Sequence, residues 1–409
     1  MTEKVTENKG DQRLDAGVVT LGWVSFLTDF ASDMIYPLLP DFLTRRLGAG
    51  PAVLGLIEGI AEATASLTKL FAGWWSDRTR RRKPLVVAGY SLATAVRPLI
   101  GLATGWLQVL AIRFADRVGK GIRTAPRDAL IASLVSPAKR GRAFGLQRAM
   151  DNAGAVAGPL TAALLLKTIV PEERTVFLLA FVPGILAVVL LVRRVREAPA
   201  PPRPPETAAS AASSASVADA RLPRRFWMAT GLFVVFTLAN STDAFLLLRA
   251  RDCGVALWQI PLLWAFFHAV KAAAGVPGGA LSDRIGRVAC VGMGWIVYVL
   301  AYTGFAFVST PAGVWALFGG YALFFALTEG AQRALVADLV GESLRGRAFG
   351  VFHGSIGLAA LPSSILFGIW WKVFGPRTAF LIGAGLAALA TIGLFIARAA
   401  VKPGPAGSR

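Results

Sequence analysis

Charge is what this sequence most lacks. Only 16% of its 409 residues are Asp, Glu, Lys or Arg, where a soluble domain carries roughly a quarter. Cysteine and histidine are almost absent, with two of each. Cys253 and Cys290 stand at the starts of the eighth and ninth apolar runs, hence at opposite ends of the helices they would form, which argues against a disulfide. His268 and His353 lie on different runs with no Cys or carboxylate at ligand spacing, so no protein metal site is expected. No glycine-rich phosphate loop appears, which leaves ATP without a cradle. No nucleophile–base pair stands out either, so no catalytic residues and no cofactor are expected. The net charge of +19 would suggest nucleic acid in a soluble protein. Here no basic stripe interleaves with exposed aromatics, so no nucleic-acid partner is expected.

What is abundant is apolar sequence, 55% of the chain. Residues 175–192 (TVFLLAFVPGILAVVLLV) and 379–397 (AFLIGAGLAALATIGLFIA) each approach the roughly 20 apolar residues that span a bilayer. The remaining runs place helices at 18–43, 52–76, 84–104, 106–135, 143–166 and 175–192, then at 226–248, 256–282, 288–308, 313–340, 348–371 and 376–397. The expected fold is therefore an all-α membrane protein with twelve transmembrane helices in two six-helix halves. The first run is too long and too acidic for a cleaved leader and is expected to remain as helix one. The expected organisation is a cytoplasmic N-terminal tail (1–17), a first bundle (18–192), a linker (193–225), a second bundle (226–397) and a cytoplasmic C-terminal tail (398–409). The linker centres on APAPPRPPETAASAASSASVADA, a Pro/Ala/Ser composition without apolar periodicity that reads as mobile.

Most Lys and Arg fall in the tails, the linker and the connectors 77–83, 136–142, 283–287 and 341–347, all on one side of the helices. By the positive-inside rule that side is cytoplasmic. The expected location is the bacterial inner (cytoplasmic) membrane, multi-pass, with both termini cytoplasmic and the lipid bilayer as the surrounding partner.

The halves repeat one another. Arg140-Gly-Arg-Ala-Phe-Gly145 recurs as Arg345-Gly-Arg-Ala-Phe-Gly350, and Ala129-Leu-Ile-Ala-Ser-Leu-Val135 as Ala334-Leu-Val-Ala-Asp-Leu-Val340. Trp75-Ser-Asp-Arg78 matches Leu281-Ser-Asp-Arg284. Parallel repeats of this kind, with a site between the halves at the midplane, are a transporter architecture. One chain then holds both halves of a carrier, and a monomer is expected.

At these residues the chain resembles the major facilitator superfamily (MFS) over nearly its whole length. That family has Gly-x-x-x-Asp-Arg-x-Gly-Arg after helix two, echoed after helix eight. The second copy is intact as Gly279, Asp283, Arg284, Gly286 and Arg287; the first has Gly73, Asp77 and Arg78, with Arg80 where the second glycine should stand. A carboxylate at a helix end can meet the positive start of a neighbouring helix and nearby Arg. Asp77 is expected to latch near Arg345 and Asp283 near Arg140, holding the cytoplasmic ends together in one of two states. The alternative is a solvated charged loop. Helix five carries Gly154-Ala-Val-Ala-Gly158-Pro159, which looks like the motif of the family's proton-coupled exporters, although Leu-Thr-Ala-Ala follows the proline instead of further glycines. The same spacing also serves ordinary close helix packing.

Ionisable residues at membrane depth are costly and usually functional. Helix one has Asp29 and Asp33 on one face, and helix two has Glu58, Glu62 and Lys69. Helix four is densest, with Arg113, Asp116, Arg117, Lys120, Arg123 and Arg127 largely on one stripe. Arg148, Asp151 and Asn152 follow on helix five, Asp243 on helix seven, His268 and Lys271 on helix eight, and Glu329 and Arg333 on helix ten. The resemblance implies that helices one, four, seven and ten line a central cavity. It also implies that Arg117-x-x-Lys120-Gly121 corresponds to a helix-four Arg-x-x-Gln-Gly motif whose arginine is linked to proton handling in exporters.

A proton-coupled carrier needs a carboxylate whose proton affinity changes as the cavity opens and closes, through burial and through a nearby guanidinium. Asp33 facing Arg117 is the first expected coupling pair, with Asp29 beside it; Glu329 with Arg333 is the second. Arg113, Lys120, Arg148, Asp151, Asn152, Asp243 and Arg333 are expected at the substrate cavity. Each could instead serve in a static ion pair, and for Glu58, Glu62 and Lys69 that reading is favoured. Arg123, Arg127 and Asp128 are expected near the cytoplasmic mouth. The function these residues suggest is alternating-access antiport: a proton gradient driving efflux of a small polar, anionic or zwitterionic compound. Proton-coupled import of a metabolite is the alternative, and a membrane-embedded enzyme is a more distant one.

Overall fold

The computed structural model describes residues 14–79, 81–136, 139–197 and 221–398; most of the linker and the position of Arg80 lie outside them. The described residues form α1 (Ala16–Arg46), α2 (Pro51–Thr79), α3 (Arg82–Leu102), α4 (Trp106–Ser133), α5 (Arg140–Thr168) and α6 (Glu173–Arg194). After the linker come α7 (Arg224–Asp252), α8 (Gln259–Ile285), α9 (Arg287–Phe307) and α10 (Pro311–Asp338). The run Arg345–Ile396 is broken by the left-handed backbone of Gly375 (φ 81°) into α11 and α12.

By length and composition, nine helices among the described residues can cross a membrane, the broken last run counting as one. α2 and α4 are as long as the others, at 29 and 28 residues, but are too charged to qualify on composition. Their charges are affordable because many turn inward: Glu58, Arg113, Asp116, Arg117 and Arg123 are all buried.

Local chemistry sets the ends. Asp15 caps α1 by accepting from the Gly17 amide at 2.6 Å, satisfying a donor the first turn leaves free. Thr310 caps α10 with Pro311 at its first position, where a missing N–H costs nothing. Gly286, the second glycine of the intact connector motif, has φ 91° between α8 and α9, a conformation that a side chain resists.

Within the halves, α1 packs on α5 and α6, α3 on α4, α8 on α10, and α9 on α10 and α12. The largest contacts between the halves are α2 with α11 and α5 with α8, and the outer part of α1 also meets α7 and α8. Small residues sit at the crossings: a Cβ on Gly154 or Gly158 would lie 2.4 Å from the Phe26 carbonyl oxygen or 2.2 Å from that of Phe30. The helix-five motif is thus the place where α5 lies directly on α1. The second half is packed with aromatic rings, among them Phe236 stacked on Trp295 at 4.3 Å and Tyr298 on Tyr302 at 4.1 Å. The first half instead buries charge.

α7 is not continuous. Its helix stops at Ala239 and resumes at Ala244, leaving Asn240, Ser241 and Thr242 outside helical geometry. Irregular backbone at membrane depth is tolerated where it lines a cavity. The Asn240 carbonyl accepts from the Ser363 hydroxyl at 2.6 Å, and Ser241 is hydrogen-bonded to Tyr302 at 2.8 Å.

Candidate functional site

A cavity of about 530 Å³ lies between the halves, walled by α1, α2, α4, α5, α7, α8, α10 and α11. Of the residues expected at the substrate cavity, Lys120, Arg148, Asp151, Asn152 and Asp243 line it, together with Asp29, Asp33 and Arg117. The broken α7 contributes Asn240, Ser241 and Thr242, and α8 contributes Trp264, His268 and Lys271.

One end is closed by contacts between the halves. Tyr36 and Trp264 rings lie 5.2 Å apart, the Tyr36 hydroxyl is 3.5 Å from that of Thr242, and Trp264 Nε1 donates to Asp33 Oδ1 at 3.1 Å. Farther out, Arg251 pairs with Asp41 at 2.8 Å, Arg45 with Asp41 at 3.2 Å, and Arg45 with Asp252 at 3.1 Å. The other end, where α1 starts and α6 stops, is open, and Arg148 and Arg333 there are about half exposed.

The expected latch at that open end is not made by the second connector. Asp283 pairs with Arg287 of its own connector, and Arg287 reaches Asp338 of α10 at 3.6 Å. Among the described residues no ion pair joins Asp283 to the start of α5, since the Asp283 carboxylate is taken by Arg287 four residues on. Arg345 pairs locally with Glu342 at 3.3 Å. The Asp77 side chain lies outside the described ones.

Two further expectations are corrected. Asp33 does not face Arg117 as an ion pair: its carboxylate is held by Trp264 of the opposite half, and no described carboxylate lies within 4.0 Å of Arg117. Arg113 is not available to a ligand. It grips Glu58 with three bonds of 2.6, 2.9 and 3.1 Å and lies 3.8 Å from Asp116, which in turn accepts from Arg97 at 2.6 Å. This chain of four charges is almost wholly buried and ties α2, α3 and α4 together. Arg97 also donates to the Thr28 carbonyl of α1 at 3.3 Å. Sequence reasoning passed over Arg97, although a lone cation inside the apolar stretch Ala95-Val96-Arg97-Pro98-Leu99 is itself a signal. Glu62, by contrast, makes no ion pair among the described residues and lines the cavity.

Glu329 sits where α5, α8 and α10 meet. It binds Arg333 at 2.7 Å and Lys271 at 3.2 Å, and it binds Arg148 across the halves. One carboxylate is shared by three cations, so this side of the cavity carries surplus positive charge. Glu329 and Arg333 line an adjoining recess of about 250 Å³ rather than the main cavity.

Arg117 Nε, Asp151 Oδ1, Asn240 Oδ1 and His268 Nε2 are buried in the cavity wall with no hydrogen-bonding partner in the protein. Buried polar atoms are nearly always satisfied, and four exceptions around one cavity mark groups available to a ligand. Sequence reasoning did not single out Trp264, Tyr36 or the Asn240–Thr242 break. A polar cluster interrupting an apolar run was the available sign of the last.

The family model described as Major Facilitator Superfamily matches residues 21–361 and 269–409. An uncharacterized MFS-type transporter of Methanocaldococcus jannaschii is 35% identical over 399 residues, covering 95% of this chain and 98% of the relative. Multidrug resistance protein MdtH of Photorhabdus laumondii is 33% identical over 135 residues, a third of each chain. Among solved structures, a bacterial homologue of the human lysosomal transporter Spinster, inward-facing and occupied, superposes with a TM-score of 0.75 at 17% identity, covering 95% of this chain and 98% of that one.

Proposed function

The chain belongs to the Major Facilitator Superfamily, and on that footing we propose that it exports a small zwitterionic or anionic compound from the bacterial cytoplasm in exchange for protons. By family and fold it is a multi-pass membrane transporter of the secondary type. The proposal adds orientation, direction, coupling and substrate class.

The observation that carries the substrate class is the set of unpartnered groups in the cavity wall. Arg117 and Lys120 have no ion-pair partner among the described residues, and Asp29, Asp33 and Asp151 stand across from them without one. A ligand bearing both charges satisfies both walls, whereas a purely cationic one leaves a buried guanidinium unpaired, at a cost of several kcal/mol. Glu58 and Arg113 cancel one another and take no part.

Orientation follows the basic connectors: the open end faces the cytoplasm and both termini lie there. Substrate enters from that side. Asp33 carries the proton, with Asp29 one turn away on α1, because it is the cavity carboxylate bonded directly to the opposite half. Glu329, which also joins the halves, is the second coupling candidate. The local likeness to a multidrug resistance protein and the helix-five motif both favour export.

The test uses everted membrane vesicles with an acidified lumen and an internal pH dye, challenged with charged metabolites, chelators and antibiotics. Compound-dependent proton release that Asp33→Asn abolishes is the expected result. No release with any compound, together with gradient-driven accumulation in right-side-out vesicles, would establish import instead.

A further inference from the structure

A second cavity of about 390 Å³ adjoins the first, in the angle between α4 and α11 with α2 behind it. The two share Glu62, Lys120, Ile356 and Ala360 as lining residues. Glu62 and Lys120 do not close into an ion pair between them, so no charge contact seals one from the other. The chemistry changes across that boundary. The main cavity is ringed by carboxylates, cations and amides; the branch is walled mainly by Ala65, Leu70, Phe349, Ile356 and glycines of α11.

Those glycines separate into two kinds. Gly357 is demanded by packing, since a Cβ there would fall 2.2 Å from the Ser66 hydroxyl. Gly350 and Gly354 are not: a Cβ would meet only Leu70, at 3.9 and 3.5 Å, ordinary contact distances. No helix backbone approaches them, and the space they leave is the branch. Lys69 and Lys120 stand at its polar edge, both exposed and without an ion-pair partner among the described residues.

We propose that the transported compound is an amphiphile, with its charged head in the main cavity against Arg117 and Lys120 and an apolar chain lodged between α4 and α11. The proposal rests on the main cavity being the substrate site, as argued above, and extends it by naming what occupies the branch. Apolar pockets joined to a few convergent polar groups are the usual form of small-molecule sites. A chain carried there leaves water as the head pairs, so affinity rises with chain length until the branch is full.

The test is ligand-induced thermal stabilisation of the full-length protein in lipid nanodiscs, with 2-aminoalkanoates from aminopropanoate to aminododecanoate as probes. Wild type is expected to bind each longer member about fourfold more tightly per methylene. Gly354→Leu, which fills the branch, is expected to bind short members as wild type does and to lose the gain from length. Phe349→Ala, which removes one apolar wall and introduces no bulk, is expected to flatten the same slope. An identical slope in wild type and both variants, or no slope in wild type while short members bind, overturns the branch assignment and leaves the head-group reading standing. No binding by any member overturns both. Phospholipid that copurifies with wild type and is lost from Gly354→Leu, without a slope, assigns the branch to bilayer lipid and overturns the proposal.

Discussion

Asp41 and Arg251 occupy corresponding places in the two halves and pair with one another at 2.8 Å. Asp41 follows Ser32-Asp33 at the same interval at which Arg251 follows Thr242-Asp243. The internal repeat therefore places opposite charges on the two halves at the closed end of the cavity. Arg45 and Asp252 extend the pair to four alternating charges.

If this cluster holds that end shut, removing one member shifts the balance toward the state open there. Arg251 is bonded on both sides, to Asp41 and to the Val255 carbonyl at 2.6 Å. Arg251→Ala is expected to favour the alternative state by about 2 kcal/mol, roughly thirtyfold. The measure is labelling of a cysteine at Ala155 by an impermeant thiol reagent applied from that face, in a background lacking Cys253 and Cys290. Asp41→Arg combined with Arg251→Asp is expected to restore slow labelling; fast labelling in the swap would mean that packing, not charge, closes the end.

The buried chain from Glu58 through Arg113 and Asp116 to Arg97 predicts a different signature. Removing one partner leaves a charge buried and unpaired, so Glu58→Gln or Arg97→Ala is expected to lose about 3–5 kcal/mol of stability. The double change Glu58→Leu with Arg113→Met is expected to cost far less, because neither charge is then stranded. Thermal unfolding of purified protein reads this directly. Equal losses in single and double variants would assign the residues a role beyond pairing.

Much of this architecture is legible in the chain. Apolar runs about twenty residues long have few fates other than membrane helices, and the recurrence of Arg140–Gly145 as Arg345–Gly350 marks the doubled bundle. Even α2 and α4, too charged to pass on composition, are visible because their charges recur on one face. What spacing does not carry is which residue on a facing helix fills the gap. Asp33 and Arg117 both point to the cavity, yet the bond goes to Trp264, 231 positions away in sequence, because the crossing of α1 and α8 brings an indole closer than any guanidinium. Arg113 and Arg117 belong to the same charged stripe, but one turn of helix carries one to Glu58 and leaves the other without a carboxylate. For Asp283 the sequence suggested a latch to the start of α5, whereas its carboxylate pairs with Arg287 of its own connector, a local contact that the i, i+4 spacing allowed equally well.

The Trp264–Asp33 bond predicts a coupling defect separable from binding. Trp264→Phe keeps a ring against Tyr36 and Phe267 and removes only the donor. A hydrogen bond to a charged group contributes about 1.5–3 kcal/mol, so proton-driven exchange is expected to fall at least tenfold while substrate still binds. Full proton-driven exchange by Trp264→Phe would remove this bond from the coupling step, and loss of substrate binding together with exchange would make the indole a binding group instead.

The last prediction separates two arginines one turn apart on α4. Arg113→Ala strands Glu58 and is expected to lower the melting temperature sharply, whatever it does to transport. Arg117 has no carboxylate partner to strand and a buried Nε with no acceptor in the protein, so Arg117→Ala is expected to leave stability unchanged or slightly raised. Transport is nevertheless expected to disappear, because a ligand's anionic group loses its buried partner. Arg117→Lys is expected to recover little, since an ammonium lacks the planar fork that holds a carboxylate in two bonds. Melting curves and vesicle transport on the same three variants decide the matter. Normal transport by Arg117→Ala would remove Arg117 from the site, and a large stability loss would return it to the ion-pair scaffold beside Arg113.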